Sequence, residues 1–395
     1  MVRVDYAVVG GGITGVCAAY HLAKSGADVL LIERDQLAPD SPISSSGEHA
    51  KAFRSAYGRD RRMTRLAQES FQYWKQFERE AGTELFVPSG MIVFGADHSR
   101  TLAHWTNPDA ARFAIDSAAT LSEEGLAHEL LSKQELVSRY PQIAANEFYD
   151  HAILDKTAGF VHARKAVREI GALATRAGAA IWDHTTVERC VRAGSDVERL
   201  ITSRGDVAPK VAVIFAAGYM NSTFAPELGS KTRVTQQQLL YITPADPEPY
   251  TPSRFPIVVN VNQWRYVFPV HGPGIMKVAD DDKFRKDKVI DPDRAFQTEA
   301  DDWFRADARA FLRDYVPGLS TSKEVGSTTC RYTNTVSDDY LIYRLGNAVV
   351  ISACSGHGFK NAPVTALMAT ALATSHPPAP AWKNAGFDYA HATDF

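Results

Sequence analysis

The sequence VDYAVVGGGITG at residues 4–15 decides the fold. A short apolar run rich in β-forming residues ends at Gly10, and a helical pattern begins after Gly15 and continues to Ser25. A second apolar run, DVLLIE at residues 28–33, follows directly. Strand, glycine turn, helix and strand in immediate succession predict a βαβ unit, which is the context that gives a GxGxxG motif its meaning.

The glycine spacing predicts a dinucleotide site. Gly10 permits a tight turn, Gly12 lets the backbone approach a pyrophosphate, and Gly15 lets the helix lie close to the sheet. Ile13 and Thr14 stand at the start of the predicted helix, where N–H groups and the positive end of the helix dipole attract phosphate. The loop is therefore expected to hold the diphosphate of a dinucleotide.

The residue at the end of the second strand narrows the choice of dinucleotide. Glu33 would accept hydrogen bonds from both ribose hydroxyls and would repel a 2′-phosphate, so FAD or NAD fits better than NADP. Arg34 follows it as a further candidate contact. Later, an apolar strand at residues 210–215 runs toward Ala217 and Gly218, whose small size would let the chain turn beside the dinucleotide.

Length and composition set the broad class. At 395 residues the chain exceeds one ordinary core, so two domains are expected. A hydrophobic content of 45% and a net charge of -3 predict a globular protein without a general attraction for nucleic acid or membranes. Neither a bilayer-spanning run, nor a leader, nor a peroxisomal Ser-Lys-Leu ending is recognised, so the cytoplasm is the expected compartment. The four cysteines have neither metal nor disulfide spacing.

Periodicity along the chain predicts how the domains are arranged. Apolar residues at helical spacing predict helices over residues 60–82, 121–139, 163–177, 292–315 and 362–374. Segments of nucleotide-binding type occur in three pieces, residues 1–85, 150–225 and 325–395. A β-rich second domain would comprise residues 86–149 and 226–324. The sequence therefore predicts a discontinuous domain with a second domain inserted into it.

Four blocks of sequence carry a family resemblance. They are residues 10–33, residues 49–58 with RSAYG, CRYTNT at residues 330–335, and SGHGFK at residues 355–360. Together they resemble the flavin-dependent amine oxidases of the D-amino-acid-oxidase superfamily, and most closely the family of monomeric sarcosine oxidase, N-methyltryptophan oxidase and pipecolate oxidase. The resemblance covers almost the whole chain. It implies an α/β fold, with a discontinuous Rossmann-type FAD-binding domain and a β-sheet-rich α+β substrate domain.

The resemblance also implies how the cofactor is held. A lone intracellular cysteine such as Cys330 is ordinarily a buried thiol, but the block that follows it resembles the segment through which this family binds FAD covalently. A thioether would join the cysteine to the flavin 8-methyl group, and this chemistry needs a thiolate in electropositive surroundings. The expected FAD contacts are Gly10, Gly12, Ile13, Thr14, Gly15, Glu33, Arg34, Lys51, Ala217, Gly218, Cys330, Gly356, His357, Gly358, Phe359 and Lys360.

Two cations and two tyrosines are the candidate substrate contacts. Arg54 would ordinarily be a solvated surface residue, but in the family the arginine at this place grips the substrate carboxylate, and a lysine matching Lys360 supplies a second cation. Such a pair would select amino acids over plain amines. Tyr266 and Tyr332 fall where the family has pocket tyrosines, and core aromatic residues are the alternative interpretation.

Lys277 is the candidate for the reaction with oxygen. An isolated lysine near a strand end normally faces solvent. The run YVFP at residues 266–269, followed by Lys277, resembles the family segment whose lysine lies against flavin N5 through a water. Electron transfer to O₂ creates a negative charge, so a fixed cation there would lower the barrier.

Two positions depart from the family pattern. Lys51 stands where relatives usually have an arginine, which keeps the charge and loses the two-pronged geometry. Asp281, in an Asp280–Asp282 run, stands where sarcosine oxidase has a substrate-contacting histidine, which argues against sarcosine itself as substrate. An acidic residue there would suit a cationic group on a larger substrate, although runs of aspartate are more often solvated loops.

The sequence therefore predicts an FAD-dependent oxidase of a secondary or N-substituted amino acid that reduces O₂ to hydrogen peroxide. Its partners would be a small substrate and O₂, without nucleic acid, membrane or metal, and the protein would be a monomer or weak dimer. An NAD-linked dehydrogenase would explain residues 10–33 equally well and leave Cys330 and residues 356–360 unexplained. A tailoring enzyme of the same flavin family and a flavoprotein with a purely binding role are further alternatives.

Overall fold

The computed structural model describes residues 1–38, 44–96, 110–145, 148–281, 288–292, 296–335, 337–352 and 354–375. Over these residues the chain folds into three sheets and eight α-helices. None of the described helices is both long enough and apolar enough to cross a bilayer.

The first sheet contains the predicted βαβ unit. Five of its strands are parallel neighbours in the order β19, β12, β1, β2, β9. Strand β18 adds to β19 in antiparallel sense, and the hairpin of β10 and β11 meets the start of β12. These strands are β1 (Val2–Val9), β2 (Val29–Ile32), β9 (Ala180–Trp182), β10 (Val187–Ala193), β11 (Asp196–Thr202), β12 (Val207–Phe215), β18 (Leu341–Leu345) and β19 (Ala348–Ser352).

Helices cover one face of this sheet because their apolar sides and its alternate side chains form one core. Helix α1 packs between α5 and α8, and α2 packs on α8. The helices are α1 (Ile13–Lys24), α2 (Arg61–Ala81), α5 (Ala163–Arg176) and α8 (Gly358–Thr374). On the other face, Val9, Leu30 and Phe215 are buried against residues of β11 and of the segment that begins with the short helix α6 (Asn221–Phe224).

The second sheet has eight strands in the order β17, β13, β16, β15, β14, β5, β7, β6. Helix α7 packs on one of its faces and α3 on the other. The elements are β5 (Met91–Ala96), α3 (Ala110–Glu123), β6 (His128–Ser132), α4 (Lys133–Arg139), β7 (Phe148–Asp155), β13 (Thr232–Thr243), β14 (Ile257–Asn260), β15 (Arg265–Val267), β16 (Met276–Asp280), α7 (Asp302–Tyr315) and β17 (Lys323–Thr335).

A small third sheet supplies part of the site described below. It contains β3 (Ala50–Phe53), β4 (Phe86–Val87) and β8 (Gly159–His162), with β8 in the centre. The predicted fold class, an α/β fold with a second β-rich region, is confirmed. The exact domain boundaries stay a prediction, and β17 pairs along its length with β13, so residues 325–335 belong to the second sheet.

Most predicted helices are present, and three differ. Helix α2 agrees with the prediction, since the Asp60 side chain caps its start and Gly82 ends it in a left-handed conformation. The single helix predicted over residues 121–139 is wrong: α3 ends before Gly125, β6 intervenes, and a capping box at Ser132 starts α4. Helix α7 begins at residue 302 rather than 292, and α8 begins at residue 358 rather than 362.

Candidate active site

The carboxyl ends of β19, β12, β1 and β2 open onto a cavity of about 320 Å³. Cofactors of open parallel sheets bind at this edge, outside the carboxyl ends of the strands. Residues of the second and third sheets form the remaining walls, so the cavity lies where the three sheets meet. We call the part formed by the first sheet and its loops the nucleotide crevice.

Backbone geometry shapes the nucleotide crevice at the glycine loop. Gly10 has a φ of +105°, and a Cβ atom there would lie 2.5 Å from the Ala216 carbonyl oxygen. A Cβ atom on Gly15 would lie 1.8 Å from the Gly10 carbonyl oxygen, so α1 can approach the loop only with glycine there. Gly12 is the N-cap of α1 and offers no side-chain hydrogen bond to the first N–H groups, and Gly12, Ile13 and Thr14 line the cavity.

Glu33 closes one side of the nucleotide crevice. Its carboxylate accepts hydrogen bonds from Gly11 N–H at 2.5 Å and Asp35 N–H at 2.8 Å. Burial nevertheless raises the pKa of Glu33 above its ordinary value. Arg34 also lines the cavity. Ser46, which the sequence analysis missed, accepts a hydrogen bond from Ile13 N–H at 3.1 Å beside the helix start.

A second helix start faces the same cavity. Strand β12 ends at Phe215, and Ala217 and Gly218 line the cavity directly after it, as predicted. Opposite them, Gly356 turns the chain with a φ of +75° and His357 is the N-cap of α8. Because α8 begins at Gly358, the residues that line the cavity here, Gly358 to Lys360, belong to the first turn of this helix, where its dipole is positive.

Arg54 and Lys360 converge on one tyrosine. The Arg54 guanidinium lies 4.1 Å from the ring centroid of Tyr57 and donates a hydrogen bond to the Ala56 carbonyl. The Lys360 ammonium lies 5.8 Å from the same ring, donates to the His357 carbonyl at 3.3 Å, and is only 5% exposed. Both cations line the cavity, so the structure brings the two predicted carboxylate contacts together.

Lys277 is buried rather than solvated. It lies on β16, is 1% exposed, and donates hydrogen bonds to the Glu48 carboxylate at 2.9 Å and the Ala50 carbonyl at 2.6 Å. The other Glu48 oxygen forms an ion pair with Lys51 on β3. Glu48, Lys51 and Lys277 form what we call the lysine cluster. The sequence analysis missed Glu48, for which an acidic residue three positions before Lys51 was the available signal.

Charge is distributed unevenly within the lysine cluster. Burial alone would raise the pKa of Glu48, but the two ammonium groups lower it to about 2. Burial lowers the pKa of Lys277 below its ordinary value, with Glu48 opposing the shift. Burial also opposes charge on Lys51, but Cys330 and Glu48 raise its pKa. The cluster thus places one carboxylate between two lysine side chains.

Cys330 lies behind the cavity wall, next to the lysine cluster. It is 2% exposed, and its Sγ is 3.7 Å from Lys51 Nζ. Burial raises the pKa of this thiol to about 12, although Lys51 acts in the opposite direction. Cys354, which the sequence analysis did not single out, packs in the same apolar cluster and lines the cavity itself.

Tyr266, Tyr332 and Asp281 line the same cavity. We call Arg54 and Lys360 together the clamp. Burial raises the pKa of both tyrosines well above the ordinary value. The Asp281 carboxylate lies next to Gly356, where an added Cβ would be 2.5 Å from it. The aspartate run is not a solvated loop over its described part, because Asp280 is fully buried and forms an ion pair with Lys288. Asp282 lies outside the described residues.

Every predicted site residue except Gly15 and Cys330 lines the one cavity. These two lie directly behind it, at the Gly10 carbonyl and at Lys51. The open Gly12 N-cap, the Glu33 carboxylate and the two helix starts fit a dinucleotide that carries a diphosphate and a ribose. The individual roles of these residues stay predictions.

Comparison with known proteins agrees with this fit. Residues 5–372 match the family model DAO, described as FAD dependent oxidoreductase. The chain is 31% identical over 387 residues to peroxisomal sarcosine oxidase of Mus musculus, covering 95% of this chain and 93% of the mouse protein. It is 29% identical over 368 residues to monomeric sarcosine oxidase of Bacillus sp. strain B-0618, covering 90% and 88% of the two chains.

The fold is shared with a further solved structure. L-proline dehydrogenase from P. horikoshii superposes with a TM-score of 0.80 at 19% identity, covering 96% of each chain. The predicted flavoprotein family is confirmed, and the match to an FAD family sets aside the NAD-linked alternative. The chain belongs to the DAO family of FAD-dependent oxidoreductases.

Proposed function

We propose that this protein is an FAD-dependent oxidase of a secondary or N-substituted amino acid, either N-methylated or cyclic, with O₂ as electron acceptor. The observation that carries the proposal is that Arg54, Lys360 and Lys277 all line the cavity of which the nucleotide crevice is a part. The sarcosine oxidases among its relatives support the same substrate class.

Two cations in a water-poor pocket would bind the substrate carboxylate. Arg54 is held against the Tyr57 ring and Lys360 against the end of the turn at His357, so both ammonium and guanidinium groups have fixed positions. An arginine presents paired N–H donors that match a carboxylate. Tyr266 and Tyr332 would enclose the substrate on the side toward Lys277.

FAD, when bound, would accept a hydride equivalent from the carbon next to the substrate nitrogen and pass the two electrons to O₂, giving an imine and hydrogen peroxide. The protein would supply orientation and charge. The amine would arrive neutral, so no side chain needs to act as a strong base. Lys277 would place a fixed cation where charge develops on O₂.

We further propose that FAD is bound covalently through Cys330. The thiol lies 3.7 Å from the Lys51 ammonium, which supports loss of its proton when the flavin is present. Glu48 partly neutralises that ammonium.

The expected cytoplasmic location and the monomeric or weakly dimeric state stay predictions.

A peroxide-coupled screen tests the function. Purified protein is offered N-methyl and cyclic amino acids, each beside the matching amine that lacks the carboxylate. We expect peroxide from at least one amino acid and far less from its decarboxylated partner. Peroxide release from the amines alone would contradict the proposed clamp, and absence of peroxide with every compound would contradict the oxidase.

The Arg54→Met variant tests the clamp itself. Loss of the guanidinium is expected to lower kcat/KM for the preferred amino acid about 30-fold or more, because removing one partner of a desolvated charge pair costs about 2–5 kcal/mol. Arg59→Met is the matched control, since Arg59 is an exposed arginine paired with Asp116 at 2.9 Å. It should retain the wild-type value.

A further inference from the structure

Glu48 joins two elements that are distant in sequence. It stands two residues before β3, and one carboxylate oxygen contacts Lys51 on β3 while the other contacts Lys277 on β16. Glu48 is 5% exposed, so water screens neither contact strongly. The carboxylate therefore bridges the second sheet and the third sheet at the edge of the cavity, beside the direct hydrogen bond from Lys277 to the Ala50 carbonyl.

Lys277 has few partners that favour a charged ammonium. Apart from Glu48, these are the Ala50 carbonyl, which accepts a hydrogen bond at 2.6 Å, and the Phe268 ring, whose centroid lies 4.1 Å away. Burial and the neighbouring Lys51 cation both disfavour its charge, and Glu48 is the anion that opposes them. The charge of Lys277 therefore depends on Glu48, a residue to which neither substrate binding nor the oxygen reaction has been assigned.

We propose that Glu48 is a positioning residue that keeps the Lys277 ammonium charged and fixed at the cavity, and couples it to Lys51 as a unit of net charge +1. This inference rests on the proposed oxygen role of Lys277. Glu48 keeps Lys277 protonated in the pH range where a buried lysine without an anionic partner would lose its proton.

Other titratable groups also face the cluster and are part of the prediction. Besides the two lysines, groups that interact electrostatically with Glu48 include Tyr241 on β13, Tyr266 on β15, and Cys330 and Tyr332 on β17, and His271 interacts with Lys277. Burial raises the pKa of the three tyrosines and the thiol and lowers the pKa of His271 to about 3, so all five are neutral near pH 7. The lysines and Glu48 therefore determine the charge there.

The test measures reoxidation without substrate. Wild-type and Glu48→Gln holoenzymes are photoreduced, mixed with O₂ in a stopped-flow instrument between pH 6 and pH 10, and followed by flavin absorbance. A lysine is cationic below its pKa, and Glu48 raises the pKa of Lys277. The pH at which reoxidation slows to half its plateau should therefore move down in Glu48→Gln, by about 1–3 pH units.

Two further variants separate this role from simple structural support. Lys51→Met removes the cation that disfavours charge on Lys277, so its midpoint should move up, opposite to Glu48→Gln. Glu48→Asp retains the anion and should keep its midpoint nearer to that of the wild type. A rate that falls by the same factor at every pH in Glu48→Gln would overturn the proposal, as would midpoints of Glu48→Gln and Lys51→Met that move in the same direction.

A second measurement does not depend on turnover. The absorption spectrum of the oxidised holoenzyme is titrated over the same pH range, because a cation that loses its proton beside the flavin shifts its bands. The spectral midpoint should move with the kinetic one in each variant, and an unshifted spectral midpoint in Glu48→Gln would overturn the proposal. Absence of peroxide in the screen would contradict the proposed oxidase, whereas these substrate-free midpoints test the role of Glu48 separately.

Discussion

The nucleotide crevice and the lysine cluster face one cavity but are built differently. The crevice is formed mainly by backbone atoms: Gly10, Gly12 and Gly15 lie within six consecutive residues, and the first turns of two helices line the cavity. The cluster is formed by side chains: Glu48 contacts Lys277, which is 229 positions away in the sequence. The crevice depends on local geometry, whereas the cluster depends on how separate sheets pack.

The broadest expected effect concerns the crevice, because loss of the cofactor stops both half-reactions. Gly15→Ala would place a Cβ atom 1.8 Å from the Gly10 carbonyl oxygen, a collision between two backbone segments that side-chain rotation cannot relieve. We expect the flavin content of the purified protein to fall to about a tenth of the wild-type value or less, because the loop that approaches the diphosphate can no longer pack against α1. The ratio of flavin to protein absorbance after purification measures it.

Gly229→Ala is the control, because a Cβ atom there would meet nothing within 4 Å. If Gly15→Ala retained its full flavin content, the crevice would not depend on backbone geometry in the way described, and the contrast with the cluster would fail.

The same difference explains what could be predicted from the sequence. The glycine loop, Glu33 and the strand ending before Ala217 follow from local pattern, and the structure places them together at one cavity. Arg54, Lys277 and Lys360 could be named because short blocks around them resemble a family. Their grouping is a property of the packed sheets.

The site residues that the sequence pattern did not indicate are mainly those whose contacts depend on how separate sheets pack. Glu48 gains its role only when β16 is brought against the start of β3, and periodicity carries no signal for that contact. The helix predicted over residues 121–139 fails for a local reason. Gly125 adopts a left-handed conformation that ends α3, and Ser132 then caps a separate helix. An apolar pattern alone does not show such a break.

The next effect tests the junction between the two regions. Cys330→Ala should abolish acid-stable flavin, so that precipitated protein is colourless while its supernatant is yellow. The reason is that the thioether needs a sulfur next to Lys51, where Cys330 lies. Absorbance of the washed pellet measures it.

Cys354→Ala is a demanding control because Cys354 lies in the same apolar cluster and lines the cavity, whereas Cys330 lies behind the wall. It should leave a yellow pellet. A yellow pellet from Cys330→Ala and a colourless one from Cys354→Ala would transfer the attachment to Cys354.

The narrowest of the three effects acts on one half-reaction. Lys277→Met should slow reoxidation by O₂ by about two to three orders of magnitude, as loss of a preorganised charge does at other active sites. Anaerobic reduction by substrate should stay largely intact, because the proposed carboxylate contacts are Arg54 and Lys360. Stopped-flow absorbance of each half-reaction separates the two, and equal slowing of both would contradict the assignment to oxygen.

Lys288→Gln is the control for burial alone. Lys288 is another buried lysine, 4% exposed and paired with Asp280 and the Gln237 side chain. Its loss should lower the free energy of unfolding without a selective effect on reoxidation. If both variants slowed reoxidation alike, disturbance of the second sheet would explain the result and the lysine cluster would have no special role. A selective effect of Lys277→Met would show that a side-chain assembly, built from residues far apart in sequence, controls the oxygen step beside a crevice built from backbone.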